Sequence, residues 1–241
     1  MTAYDFEIVF PVLNEEHRLS RGVTETIKFC QSHTLRACYT IADNGSTDRT
    51  RKIAEDLQTQ YPDIKFLSVG ERGVGRALKA AWLSPRAPIV GYMDIDLATD
   101  LKHLIEMRDL FRNPEVYVVS GSRLLKNSVV TNRSALRNFT SRGFNSVLRF
   151  RLGVGLSDGM CGFKFIRADF FKKIFDDLSP LSDGWFFNTE FLVKAEWLGK
   201  KIYEIGVHWT DDGDSRVELI KIIKNYLSEI ERLYRQKKAL R

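Results

Sequence analysis

Apolar runs rich in β-branched residues alternate with segments of helical periodicity through the first half of this chain, and that order leaves few folds open to it. The runs cover 6–12, 39–42, 64–69, 89–93 and 116–120, and between them helical segments begin near His17, Thr47, Gly73 and Leu101. Strand, helix and strand in repeated succession make βαβ units, whose strands lie parallel because each helix carries the chain back to the edge it started from. Asn44-Gly45-Ser46-Thr47-Asp48 supplies a turn followed by a helix cap, and Thr99-Asp100 supplies a cap before Leu101. The expected fold class is α/β with a mostly parallel central sheet, its polar loops following the C-terminal ends of strands.

The second half changes character. A basic segment at 132–151 leads into a Gly-rich stretch at 153–162 and then a helix-rich tail, with no internal repeat and no low-complexity linker. From 217 onward Leu219, Ile220, Ile223, Leu227, Ile230, Leu233 and Tyr234 recur at helical spacing and a basic cluster closes the chain, which predicts an amphipathic helix over 217–241.

At 241 residues and 44% hydrophobic content the chain can bury one full core, which excludes fibrous and disordered classes. Cys30, Cys38 and Cys161 lack C-x-x-C spacing, so they read as buried thiols in a reducing compartment and not as a disulfide framework or zinc site. The N-terminal stretch has no basic n-region or apolar h-region, which gives a cytoplasmic expectation. No run approaches the ~20 apolar residues of a membrane span. A net charge of +6 suits an anionic partner, whether phosphate, nucleic acid or an acidic lipid surface. A nucleic-acid partner is not expected, because no recognition motif of known geometry accompanies the charge.

Met93-Asp94-Ile95-Asp96 places two carboxylates one residue apart where a hydrophobic strand gives out. Alternation along an extended segment would put Asp94 and Asp96 on one side, where hard oxygen ligands can hold Mg²⁺ or Mn²⁺ against a diphosphate. The plainer reading is a pair of solvated acids. Its context favours the first: 10–16 (FPVLNEE) ends the first strand and 41–50 (IADNGSTDRT) the second, and loops beyond strand C-termini converge on one crevice in open α/β sheets.

With these three segments in order and spacing, the chain resembles the family 2 glycosyltransferases of the GT-A fold. Later blocks at 157–164 (SDGMCGFK), 185–190 (WFFNTE), 207–210 (VHWT) and 214–216 (DSR) are similar to those of dolichyl-phosphate glucosyltransferases and related polyprenyl-phosphate glycosyltransferases. The resemblance implies a catalytic domain over 1–216, with a donor half to about 122 and an acceptor half over 123–216. It implies inverting transfer of a hexose from UDP-glucose or GDP-mannose to a polyprenyl or dolichyl phosphate. Pro11, Asn14, Glu15, Asp43 and Asn44 would bound the nucleoside, Asp94 and Asp96 would bind metal and diphosphate, and Arg123 would lie at the donor's phosphates or sugar.

Arg137 and Ser141, four residues apart on one helix face with Arg133 a turn earlier, resemble an acceptor-phosphate grip, and a guanidinium fork beside a hydroxyl suits that task. The alternative is a solvated basic face. Asp158 matches an aspartate near the reacting centre: a base for a hydroxyl acceptor, an orienting group for a phosphate that is already ionised. Glu190 is a second candidate carboxylate, its alternative being a helix N-terminal charge. His208 could reach metal or sugar, though a lone histidine is more often packed. Relatives carry a lysine in the loop after the third strand where this chain has Val74, so Arg72 or Arg76 would have to supply its charge. Competing functions are transfer to a soluble or glycolipid hydroxyl and non-catalytic binding of a nucleotide sugar. The basic amphipathic helix at 217–241 gives a further expectation, a peripheral association with an anionic membrane or a membrane partner on the cytoplasmic face, the equal alternative being that its apolar stripe packs on the catalytic domain as a closing helix.

Overall fold

The structure is a computed structural model describing residues 3–211 and 219–239. Its centre is a seven-stranded sheet. Strands β1 (Phe6–Val12), β2 (Ala37–Asp43), β3 (Ile64–Ser68) and β4 (Ile89–Met93) form its parallel half, linked by helices α1 (Leu19–Ser32), α2 (Thr50–Gln60) and α3 (Val74–Trp82). Helix α4 (His103–Phe111) leads to β5 (Val118–Ser122), and a short strand β6 (Val129–Thr131) precedes α5 (Ala135–Leu152). Strand β7 (Phe163–Arg167), helices α6 (Ala168–Leu178) and α7 (Phe187–Trp197), strands β8 (Ile202–Gly206) and β9 (His208–Thr210) and helix α8 (Leu219–Ala239) complete the order. The sheet runs β3-β2-β1-β4-β7-β5-β8, and β6 pairs with β9 in a separate ribbon.

Helices cover both faces of the sheet, which is why its strands read as nearly unbroken apolar runs. Along β1 the pleat divides them: Phe6, Ile8, Phe10 and Val12 enter the core shared with α1, α2 and α4, while Val9 enters the one shared with α3, α6 and α7. The three cysteines are buried and unbridged, and burial pushes the Cys161 thiol up to about 11.

Strand β7 is antiparallel to both of its neighbours, β4 and β5. It therefore begins at the edge where they end, and the residues preceding it reach the same crevice as the loops that follow β1, β2, β4 and β5. This reversal was not foreseen from the sequence, because Lys164 interrupts the short apolar run.

One expectation changes. Strand β4 stops at Met93, and Asp94 to Leu97 form a turn closed by the Leu97 amide on the Asp94 carbonyl, with Leu97 at φ 57. Asp94 and Asp96 are brought together by that turn and not by strand alternation. The apolar stripe of α8 serves the domain itself where its side chains are described: Ile230 and Leu233 are buried in the core, Tyr226 meets Phe144 and Phe186, and the Arg151 guanidinium lies over the Tyr234 ring. Residues 214–216 lie outside the described residues. Among those described, no helix is long and apolar enough to cross a membrane.

Candidate active site

The loops after β1 and β2 are stitched to each other. Asn14, at φ 57, accepts from the Thr47 amide at 2.8 Å and donates its own amide to Ser46, while the Glu15 and Glu16 amides reach Thr50 and Asp48. Asp43 and Asn44 are buried: the first accepts from the Ser46 amide, and the second donates to the Val12 carbonyl and accepts from Gly73. Asn14, Glu15, Asp43 and Asn44 therefore share one hydrogen-bonded cluster, which uses part of their capacity, and Pro11 stands just behind it on β1, paired with Ala42. Arg76 is committed to Asp183 and Glu71, leaving exposed Arg72 as the cation that can stand in for the missing lysine.

At the end of β4 the Asp94 amide donates to the Gly162 carbonyl, so the D-x-D turn is fixed to the segment entering β7. Burial and the neighbouring Asp96 charge push the Asp94 carboxyl up to about 7. Asp96 accepts from the Ala98 amide at 2.9 Å. Two hard oxygen donors in mutual repulsion fit a divalent cation, which would relieve that repulsion. Among the described residues no third acidic, histidine or cysteine side chain joins them. That donor set suits Mg²⁺ or Mn²⁺ completed by diphosphate oxygens and water, as hard cations at such sites commonly are.

Opposite this turn, Arg123 at the end of β5 grips both carboxylate oxygens of Asp158, at 2.8 and 3.0 Å, and adds its backbone amide at 3.2 Å. Both side chains are removed from solvent. Burial opposes ionisation of Asp158, yet the Arg123 guanidinium holds its carboxyl far below the usual range. The segment carrying Asp158 is anchored from behind. Glu204 on β8 accepts from the Ser157 amide and hydroxyl and from the Asp158 amide, Glu196 on α7 from the amides of Gly155 and Leu156, and Asn145 from that of Gly159.

Trp209, on β9, lies beneath two guanidinium groups, with Arg123 5.4 Å and Arg133 5.6 Å from its ring centroid. Arg133 donates to the Ser141 hydroxyl at 2.6 Å, while its Nε and Nη1 are buried without a hydrogen-bond partner. Burial, with Arg123 nearby, lowers the Arg133 guanidinium to about 10. Arg137 is ion-paired with the buried Asp211. The three residues expected to share one helix face thus divide, Arg133 with Ser141 and Arg137 with Asp211, because Arg133 precedes α5 and its N-cap Ser134.

Residues 7–175 match glycosyl transferase family 2. The chain belongs to that family. Relatives in glycosyl transferase family 2 include a glycosyltransferase of Haloferax volcanii, 32% identical over 96% of this chain and 37% of its own length. A dolichyl-phosphate beta-glucosyltransferase of Dictyostelium discoideum is 30% identical, covering 88% of this chain and 68% of its own, and one of Mus musculus is 29% identical, covering 96% and 79%. The chain thus spans little more than a third of the Haloferax volcanii relative. In fold it is similar to the glucosyl-3-phosphoglycerate synthase of Mycobacterium tuberculosis crystallised with Mn²⁺ and uridine-diphosphate-glucose, with a TM-score of 0.68 at 18% identity over 97% of this chain and 79% of that one. The GT-A architecture expected of a family 2 enzyme is therefore present.

Within this family 2 fold, two candidate residues occupy other surroundings than the sequence reading gave them. Glu190 is wholly buried on α7, paired with Lys194 at 2.7 Å and with Arg232 of α8 at 2.8 Å, and it also accepts from the Ser182 amide. With no exposed atom and three partners it ties α8 to the domain. The His208 ring nitrogen Nδ1 faces the Lys102 ammonium at 2.8 Å, and the ring lies against His103. Glu204, Trp209 and Asp211 went unassigned, since their contacts join segments far apart in sequence. Lys164, at the end of the 157–164 block, is fully buried against the Cys161 carbonyl and Tyr92 hydroxyl, and burial lowers its ammonium to about 8.

Proposed function

We propose that this family 2 enzyme transfers a hexose from a nucleotide sugar, UDP-glucose or GDP-mannose, to a polyprenyl or dolichyl phosphate, with Mg²⁺ or Mn²⁺ held by Asp94 and Asp96. The observation that carries the acceptor class is the Arg123–Asp158 ion pair. A hydroxyl acceptor needs a base to take its proton, and a carboxylate locked to a guanidinium and held ionised far below neutrality is a poor one. A phosphate monoester is already anionic near neutral pH and needs only to be positioned. Arg133 and Ser141 are suited to that, because an anion reaching the two orphaned guanidinium nitrogens would recover the cost of burying them. The names of the dolichyl-phosphate relatives support the same class.

In this reading a phosphate oxygen attacks the anomeric carbon from the side opposite the nucleoside diphosphate, whose bond to that carbon breaks, so the configuration inverts. Asp94 and Asp96 would hold the divalent cation, whose chemistry there would be to neutralise charge developing on the leaving diphosphate. Pro11, Asn14, Glu15, Asp43 and Asn44 bound the nucleoside. Arg123, immobilised by Asp158, lies toward the donor's phosphates or sugar, and Asp158 acts as an orienting group. Because the acceptor is lipid-linked, the enzyme meets it at a cytoplasmic membrane surface. The test is a donor panel incubated with a short-chain prenyl phosphate, the matching prenol and a glycolipid hydroxyl, with products identified by mass. A hexosyl prenyl phosphate is expected; transfer to a hydroxyl in its place would refute the acceptor class.

A further inference from the structure

Helix α5 has two apolar faces. One is buried through Leu148 and Leu152, beside Ser141 and Asn145. The other follows the helical repeat at 136, 139, 147 and 150 with Gly143 between, and it stands in solvent: Leu136 is 61% exposed, Phe139 77%, Val147 42% and Phe150 93%. Half of the large apolar side chains exposed among the described residues lie on this one helix, which makes them a patch and not scatter. The helix carries four arginines and no acidic residue, and exposed Arg142 and Arg149 border the stripe on one side.

We propose that this outward face of α5 is the surface on which the enzyme rests on an anionic lipid bilayer, a proposal that rests on the lipid-linked acceptor argued above. The helix lies in the plane of the interface, its phenyl rings among the acyl chains and its arginines at the headgroups, as interfacial amphipathic helices do. The same helix carries Ser141 on its inner side, so docking holds the Arg133–Ser141 pair beside the plane from which a lipid phosphate emerges. Charge complementarity selects the occupant. Anionic headgroups match an all-basic helix, whereas a second copy seated face to face would oppose arginine to arginine. Among the described side chains of the C-terminal helix Leu227 is the one large apolar group exposed to this degree, against four on α5.

The test is co-sedimentation of the full chain with vesicles of phosphatidylcholine containing phosphatidylserine. The comparison set is Phe139→Ser with Phe150→Ser, and Arg142→Gln with Arg149→Gln. The parent protein is expected to bind. Losing two inserted rings should weaken binding by at least about tenfold, and losing the two charges should abolish its preference for phosphatidylserine and its sensitivity to salt. Thermal midpoints should stay unchanged, since these side chains are exposed. Turnover of a short-chain, water-soluble prenyl phosphate should also be unchanged in both variants. Absence of that turnover in every protein would refute the acceptor reading, while the vesicle result would still decide the surface. The surface is overturned if the parent fails to bind, if both variants bind as it does, or if the phenylalanine variant changes only the oligomeric state.

Discussion

Gly162 leaves the space that Asp94 fills: a β-carbon at position 162 would sit 1.7 Å from an Asp94 carboxylate oxygen. The glycine is required by that close approach, since neither the turn nor the strand that follows it can yield easily. Gly162→Ala should displace Asp94 at a cost of ~1 to 3 kcal/mol. Calorimetric titration of the variant with nucleoside diphosphate and Mn²⁺ is expected to show affinity reduced by about tenfold or more. Parental affinity would mean that Asp94 does not contribute to the metal site.

Separating Arg123 from Asp158 should cost more in stability than any surface substitution. Arg123→Ala leaves a buried carboxylate without its counter-charge, a loss of about 3 to 5 kcal/mol that chemical denaturation can read. The pH dependence has a defined sign. The folded-state value of Asp158 is depressed, so its stabilisation is complete above the ordinary 3.8 and is lost as the pH falls toward the depressed value. The Arg123→Ala protein should be less stable than the parent at neutral pH, and the gap should narrow in acid.

Metal binding should also depend on pH, through Asp94. With its carboxyl raised to about 7, the folded protein binds a proton there that a cation has to displace below neutrality. Mn²⁺ affinity is expected to rise between about pH 5.5 and about pH 7.5 and then level off, by no more than about tenfold per pH unit for one proton. Titrations in buffers of different ionisation enthalpy should detect proton release on the acid side. Asp94→Asn should remove both the pH dependence and most of the binding.

At the acceptor, Arg133 should matter more than Arg137. Arg133→Ala removes a charge-assisted contact worth ~1.5 to 3 kcal/mol and should raise the KM for a prenyl phosphate with little effect on that for the donor. Arg137 already neutralises Asp211, so Arg137→Ala is expected to reduce stability first and acceptor affinity second. Steady-state kinetics showing the larger acceptor effect in the Arg137 variant would reverse the assignment.

Local signals carried much of this. Strands β1 and β4 match their expected bounds because uninterrupted apolar runs end at turn-forming residues, and the edge loops were legible as polar clusters at those ends. Strands β7 and β8 were hidden, since a five-residue run containing Lys164 or Glu204 has no clear period. Asp158 could be found by resemblance, but its ion pair with Arg123 could not, because that contact spans 35 positions and depends on the reversed strand. Glu190 shows the opposite limit. A carboxylate in the first turn of a helix signals an accessible charge, and only tertiary packing reveals Lys194 and Arg232 around it.

The reversal of β7 has a thermodynamic corollary. Its leading segment brings Asp158 and Gly162 against Arg123 and Asp94, so that, in the function proposed above, the donor and acceptor sites would share a wall. A displacement that either ligand imposes on that wall is felt by the other. Binding of donor and acceptor should then be cooperative, each altering the affinity of the other by the same factor, and measured dissociation constants for one substrate will depend on the concentration of its partner.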